Sequence, residues 1–246
     1  MSVFNPSNAP ASPPERRAAS DCGCDGSVGF PGSAAYILFD LDGTLTDPKE
    51  GITRCVQYAL SKFGIQAECD ALTNFIGPPL EESFGRFYGL SPADSKKAVD
   101  YYRERFTDVG IFENGVIDGI PELLRETIAL GGRHYVYTHR GATVYAYLDA
   151  FGLTDCFSGF ITADDGFPAK PAPDALLHLL AQYAVDPHAA VMIGDRDIDV
   201  LAGVNASIAG ILFDPDHCYD AFETPLRCAS VGELRNLLVS GGTAAA

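Results

Sequence analysis

Basic residues are scarce in this chain. Its 246 residues include 17 Lys and Arg against 33 Asp and Glu, a formal net charge of −16. A surface of that sign repels nucleic-acid backbones and anionic lipid alike, so neither nucleic acid nor a membrane surface is an expected partner. Long apolar runs are missing too. No stretch reaches the roughly 18 residues of a membrane span, and the first residues lack the apolar segment of a secretory leader. Histidine and cysteine are few, at five and seven, and none are spaced as a zinc site would need. Cys22 and Cys24 are separated by one glycine, but no second Cys or His pair lies nearby to complete a soft-metal site. Seven cysteines without a repeating interval, in a chain without a leader signal, point to reduced thiols and a cytoplasmic location.

What is present suffices for a large core. Apolar residues make up 47% of the chain and charged residues 20%, a balance that suits one domain or a core domain with a smaller insert. Residues 1–33, rich in Pro, Ser, Ala, Asn and Gly, carry no apolar period and are expected to be a disordered tail. The run Ala34-Ala35-Tyr36-Ile37-Leu38-Phe39 reads as a buried parallel strand. From 49 to 113 the pattern is helical. Ile52, Val56, Leu60 and Phe63 share one face, and Gly64 can close that helix. Pro78-Pro79 interrupts the next segment, and Ser91-Pro92-Ala93-Asp94 opens a further helix reaching Phe106.

Beyond 113 the segments alternate. Helices are expected at 121–130, 142–151, 173–183, 198–206 and 231–239, and strands at 133–137, 160–162, 190–193 and 208–213. Such β-α-β alternation predicts an α/β fold with a doubly wound parallel sheet. Residues 34–48 and 114–246 then form the core, and 49–113 a helical insert.

In an open parallel sheet, ligands bind beyond the carboxyl ends of the strands. The polar residues that follow the expected strands are Asp40 and Asp42; Thr138, His139 and Arg140; Asp164 and Asp165, with Lys170 further on; and Asp195, Asp197 and Asp199. Carboxylates converging on one rim repel one another, and a hard divalent cation such as Mg2+ removes that penalty through oxygen ligands. A carboxylate is ionised at neutral pH and needs no helper base to act as a nucleophile. Asp40 can therefore attack a phosphoryl group, with Lys170 and the Thr138 hydroxyl steadying its oxygens. Asp42, two residues on, suits general acid and base duty. Gly43 lets the backbone turn at once and bring amides toward the phosphate.

Asp40-Leu41-Asp42-Gly43-Thr44-Leu45-Thr46-Asp47, Thr138, Lys170-Pro171 and Gly194-Asp195-Arg196-Asp197-Ile198-Asp199 resemble, in order, the four motifs of the haloacid dehalogenase superfamily. The likeness spans about residues 36 to 214. Phe75-Ile76-Gly77-Pro78-Pro79-Leu80-Glu81-Glu82-Ser83-Phe84 is similar to helical cap segments of phosphoglycolate phosphatase-like members. The resemblance implies a Rossmannoid core with an inserted cap, and hydrolysis of a small phosphorylated metabolite. It implies Asp40 as nucleophile and metal ligand, Asp42 as acid/base with its carbonyl on the metal, and Thr138 and Lys170 on the phosphoryl group. It also implies Asp195 as a metal ligand, with Asp199 supporting the ion directly or through water. Thr138-His139-Arg140 departs from the commoner pattern, in which a small polar residue follows the threonine, so His139 and Arg140 are candidate substrate contacts.

Other readings stand beside these. A phosphomutase would use the same intermediate, a dehalogenase would need neither Asp42 nor magnesium, and a silent module would bind a phosphorylated ligand without turnover. Asp164 and Asp165 read equally as turn formers and as aids to Lys170. Asp174 and Asp197 read as first-turn helix residues, and Tyr101, Tyr102 and Phe106 as packing of the insert. The oligomeric state is left open.

Overall fold

The structure, a computed structural model, describes residues 35–76 and 78–240. The expected tail with Cys22 and Cys24 lies outside the described residues, as do Ala34 and Gly77. In chain order, β1 (Tyr36–Phe39) and β2 (Thr46–Asp47) precede α1 (Lys49–Ser61), α2 (Leu80–Tyr88) and α3 (Pro92–Asp108). Then come β3 (Gly115–Val116), α4 (Ile120–Ala129), β4 (Arg133–Tyr137), α5 (Thr143–Ala150), β5 (Phe157–Ile161) and α6 (Asp174–Gln182). The chain closes with β6 (Ala190–Gly194), α7 (Asp197–Asn205), β7 (Ala209–Phe213), β8 (Arg227–Cys228) and α8 (Val231–Ser240).

Six strands form one parallel sheet in the order β5-β4-β1-β6-β7-β8. Period two sends alternate side chains to opposite faces, and here both faces are covered. Ile37, Phe39, Val136, Val191 and Ile193 join the apolar cluster on the face that α4, α5 and α8 cover. Leu38, Tyr135, Tyr137 and Met192 join the cluster of the α6 and α7 face. Burying each such side chain contributes on the order of 1.5–3 kcal/mol, so a strand apolar on both faces settles into the sheet centre.

Between β2 and β3, which pair antiparallel, the chain departs into α1, α2 and α3. Cys55, Val56, Leu60, Leu72, Phe75, Phe84 and Val99 form their own apolar cluster. Gly64, at φ +72°, ends α1 as expected, with the Ile65 amide reaching back to the Leu60 carbonyl. The Ser91 hydroxyl caps α3 by accepting from the Asp94 amide at 3.1 Å. Phe106, near the end of α3, packs against both this cluster and the sheet core. No described helix is long and apolar enough to cross a membrane.

Candidate active site

Register brings the site together. Phe39 is level with Val136 on one neighbour and with Ile193 on the other. Asp40, Thr138 and Asp195 therefore leave three adjacent strands at almost the same height. The Asp40 amide is anchored to the Ile193 carbonyl at 2.8 Å and the Thr138 amide to Ile161 at 2.9 Å. Beyond Asp40 the chain folds into a tight loop in which the Leu45 and Thr46 amides both return to the Leu41 carbonyl. Gly43 sits in this loop at φ +88°, and a Cβ there would collide with the Asp195 carboxylate. Only glycine meets both conditions.

Lys170 occupies the middle. Its Nζ donates to Asp40 Oδ1 and to Asp199 Oδ1, each at 2.6 Å, and its side chain has no exposed surface. The Tyr137 ring packs 4.5 Å from the same Nζ. Burial alone would lower the Lys170 pKa, but the carboxylates of Asp40 and Asp199 outweigh it and raise the value. Asp40, Asp195 and Asp199 can each bring one carboxylate oxygen within 4.8 Å of the others. Burial, then the charges of Asp40 and Asp199, push the Asp195 carboxyl up to about 8. Burial and Asp40 push Asp199 up to about 6 against the pull of Lys170. Asp195 Oδ1 is buried and has no hydrogen-bond partner among the described residues.

Asp42 faces Arg140. The Arg140 Nε donates to Asp42 Oδ2 at 2.6 Å, and Nη2 donates to Oδ1 at 2.5 Å. Burial raises the Asp42 pKa, and Arg140 works against that rise without cancelling it. The Thr138 hydroxyl is buried and accepts the Arg140 amide at 3.1 Å, which leaves its proton free to donate. The His139 Nε2 accepts the Lys170 amide at 3.2 Å. Burial, Lys170 and Arg196 all lower the His139 pKa, consistent with a neutral ring accepting at Nε2.

The residues named from the sequence thus gather into two groups, one around Lys170 and one at Asp42. Asp164 and Asp165 take up turn duties: Asp164 accepts the Ala142 amide, and Asp165 the Thr162 amide, both at 2.7 Å. Asp174 and Asp197 open α6 and α7. Sequence reasoning passed over Arg196, whose charge acts on Asp195, Asp199 and His139. It lies one residue beyond Asp195, and the same strand-end rule would have found it. Tyr147 was missed as well; its ring centroid lies 5.5 Å from the Arg140 guanidinium, and helical spacing marks it only as core.

A parallel α/β sheet that collects acids, a buried lysine and a threonine at its carboxyl rim has the architecture of an enzyme acting on an anionic group. The chain belongs to the haloacid dehalogenase-like hydrolase family, whose model matches residues 37–213. It is 38% identical over 210 residues to the 5'-nucleotidase of Pseudomonas aeruginosa, covering 83% of this chain and 95% of that protein. It is 32% identical over 214 residues to the tyrosine-protein kinase PtkA of Mycobacterium tuberculosis, covering 84% of this chain and 73% of the kinase. A solved structure from Clostridium difficile, of a protein assigned to the phosphatases, superposes with a TM-score of 0.76 at 31% identity. That match covers 84% of this chain and 99% of the other.

Proposed function

We propose that this chain is a magnesium-dependent phosphatase of small phosphomonoesters that works through a phospho-Asp40 intermediate. The observation that carries the reading is the meeting of Asp40, Asp195 and Asp199, two of which, Asp40 and Asp199, also hold Lys170, with Asp42 two residues from Asp40. The donor set is all oxygen, and Asp195 keeps one buried oxygen unpartnered, which suits a hard divalent cation. Asp40, Asp195 and Asp199 would hold that ion together with the Asp42 carbonyl, and it would neutralise the carboxylates and polarise the phosphoryl group.

An Asp40 oxygen attacks phosphorus as the bond to the leaving oxygen breaks. Lys170 and the Thr138 hydroxyl steady the transferring oxygens. Asp42 protonates the leaving oxygen, then takes a proton from the water that attacks phospho-Asp40, and inorganic phosphate departs. Gly43 and His139 would line the side from which substrate arrives, whereas the Arg140 side chain is turned onto Asp42. Residues 49–113 act as a cap over a core of 34–48 and 114–246, closing the site and selecting the leaving group. The name of the Pseudomonas relative makes nucleoside 5'-monophosphates the first substrates to screen.

The test is phosphate release from p-nitrophenyl phosphate and from nucleoside 5'-monophosphates, with magnesium and with a chelator. Release should need the metal, and Asp40→Asn should reduce it by roughly 10⁴-fold or more while the fold is kept. Substantial turnover by Asp40→Asn would remove the covalent mechanism. In parallel, magnesium should raise the melting temperature of the wild type and not that of Asp195→Asn. An equal rise in both would take Asp195 out of the metal site.

A further inference from the structure

Arg140 has a side-chain exposure of only 10%. A buried guanidinium depends on its surroundings for partners, and among the described residues this one has a single carboxylate as partner, with its Nη1 buried and unpartnered. Nε and Nη2 grip both oxygens of Asp42 in a fork, a geometry that fixes the plane of the carboxylate as well as its position. Among the described residues, the remaining side-chain support of Asp42 is the Thr46 hydroxyl, at 3.4 Å, which is too long to hold an orientation. The fork uses one lone pair on each oxygen and leaves the other available for a proton.

Arg140 is itself held from two layers. Its guanidinium carbon lies 5.4 Å from the ring centroid of Phe106 and 5.5 Å from that of Tyr147. Tyr147 belongs to α5 of the core, where its hydroxyl donates to the Asn114 carbonyl at 3.1 Å. Phe106 belongs to α3 of the inserted helices. Rings at these distances attract a desolvated guanidinium.

We infer that Arg140 is a positioning residue that sets the Asp42 carboxyl for proton transfer to the leaving oxygen, and that Phe106 ties this placement to the seating of the inserted helices. The inference rests on the phosphatase reading, in which Asp42 is the proton donor. In the first step the Asp40–phosphorus bond forms and the ester P–O bond breaks. The leaving oxygen keeps that electron pair and takes the Asp42 proton. An alkoxide is a strong base and needs this proton to leave. A nitrophenolate is a weak base and leaves without it. Misplacing Asp42 therefore penalises alkyl esters selectively, whereas losing a phosphate contact would penalise both ester types alike.

The experiment compares kcat/KM for adenosine 5'-monophosphate, an alkyl ester, with that for p-nitrophenyl phosphate, in the wild type, Arg140→Ala and Arg140→Lys. This ratio reports events up to the first irreversible step, formation of phospho-Asp40. Arg140→Ala should lose roughly 100-fold on the nucleotide and less than about threefold on the aryl ester. Arg140→Lys keeps the charge without the fork, and should recover part of the nucleotide rate with the same selectivity. Should Arg140→Ala fail to fold, Arg140→Lys carries the comparison. An equal loss on both esters would overturn the inference in favour of a substrate contact. A faster variant would overturn it in favour of an inhibitory latch. Wild-type protein that releases phosphate from neither ester nor from any other small phosphomonoester screened would bring down the phosphatase reading itself, and the inference with it, before any variant is compared.

Discussion

Lys170 and Arg140 are both buried cations held by aspartates of the site, yet they are built into the molecule differently. Lys170 is enclosed by the core alone: Asp40 follows β1, Asp199 lies in the first turn of α7, and the Tyr137 ring ends β4. Arg140 lies at the seam, with its fork on Asp42 and a ring from each layer beside its guanidinium. A charge enclosed by one rigid layer is bound up with that layer's stability. A charge clasped between two layers can respond to how they sit against each other.

The largest effect should follow from breaking the enclosed member. Lys170→Met keeps most of the chain length and removes the charge, leaving Asp40 and Asp199 buried without their cation. Breaking such a group costs on the order of 3–5 kcal/mol, to be read as a lower urea midpoint at neutral pH. Adding Asp199→Asn should return part of the loss by removing one stranded charge. Wild-type stability in Lys170→Met would mean that the core does not depend on this charge.

A second prediction concerns how tightly that layer excludes protons. His134 on β4 is buried, with its Nε2 2.8 Å from the Thr127 hydroxyl. Burial lowers its pKa from 6.5 to about 4. The unfolded chain binds a proton there below about pH 6.5 and the folded chain only near pH 4. Stability from this residue is therefore complete above pH 6.5, falls as the pH drops to about 4, and then levels. The full loss is about 3 kcal/mol. His134→Gln should flatten that part of the stability profile relative to the wild type, and an unchanged slope would mean the ring is protonated inside the fold.

The smallest effect sharpens the seam. Phe106→Leu keeps an apolar side chain and removes the ring beside Arg140. It should lower kcat/KM for adenosine 5'-monophosphate about twofold to fivefold, the size of a modest cation–π contact, with the aryl ester unaffected. Equal rates in variant and wild type would detach the inserted helices from the placement of Arg140.

Much of this layout was legible in the sequence because buried parallel strands are written as apolar runs. β1, β4, β6 and β7 fall where such runs stand. β5 was read as 160–162 and runs Phe157–Ile161, since Ser158 and Gly159 break its apolar signal. β2, β3 and β8 are two residues each, shorter than any periodicity can mark. Asp164 and Asp165 could be read either way until hydrogen bonds to the Ala142 and Thr162 amides gave them local work.

Sequence alone determined which polar residues stand at the strand ends, because apolar runs joined by helical crossovers must lie parallel and send their carboxyl ends to one rim. Only the tertiary structure decided which of those residues hold one another. Lys170 meets an aspartate 130 positions away and another 29 away, and Arg140 meets one 98 away. Those pairings depend on strand register, on loop closure and on which charges lose their water together. None of these is a property of neighbouring residues in the chain.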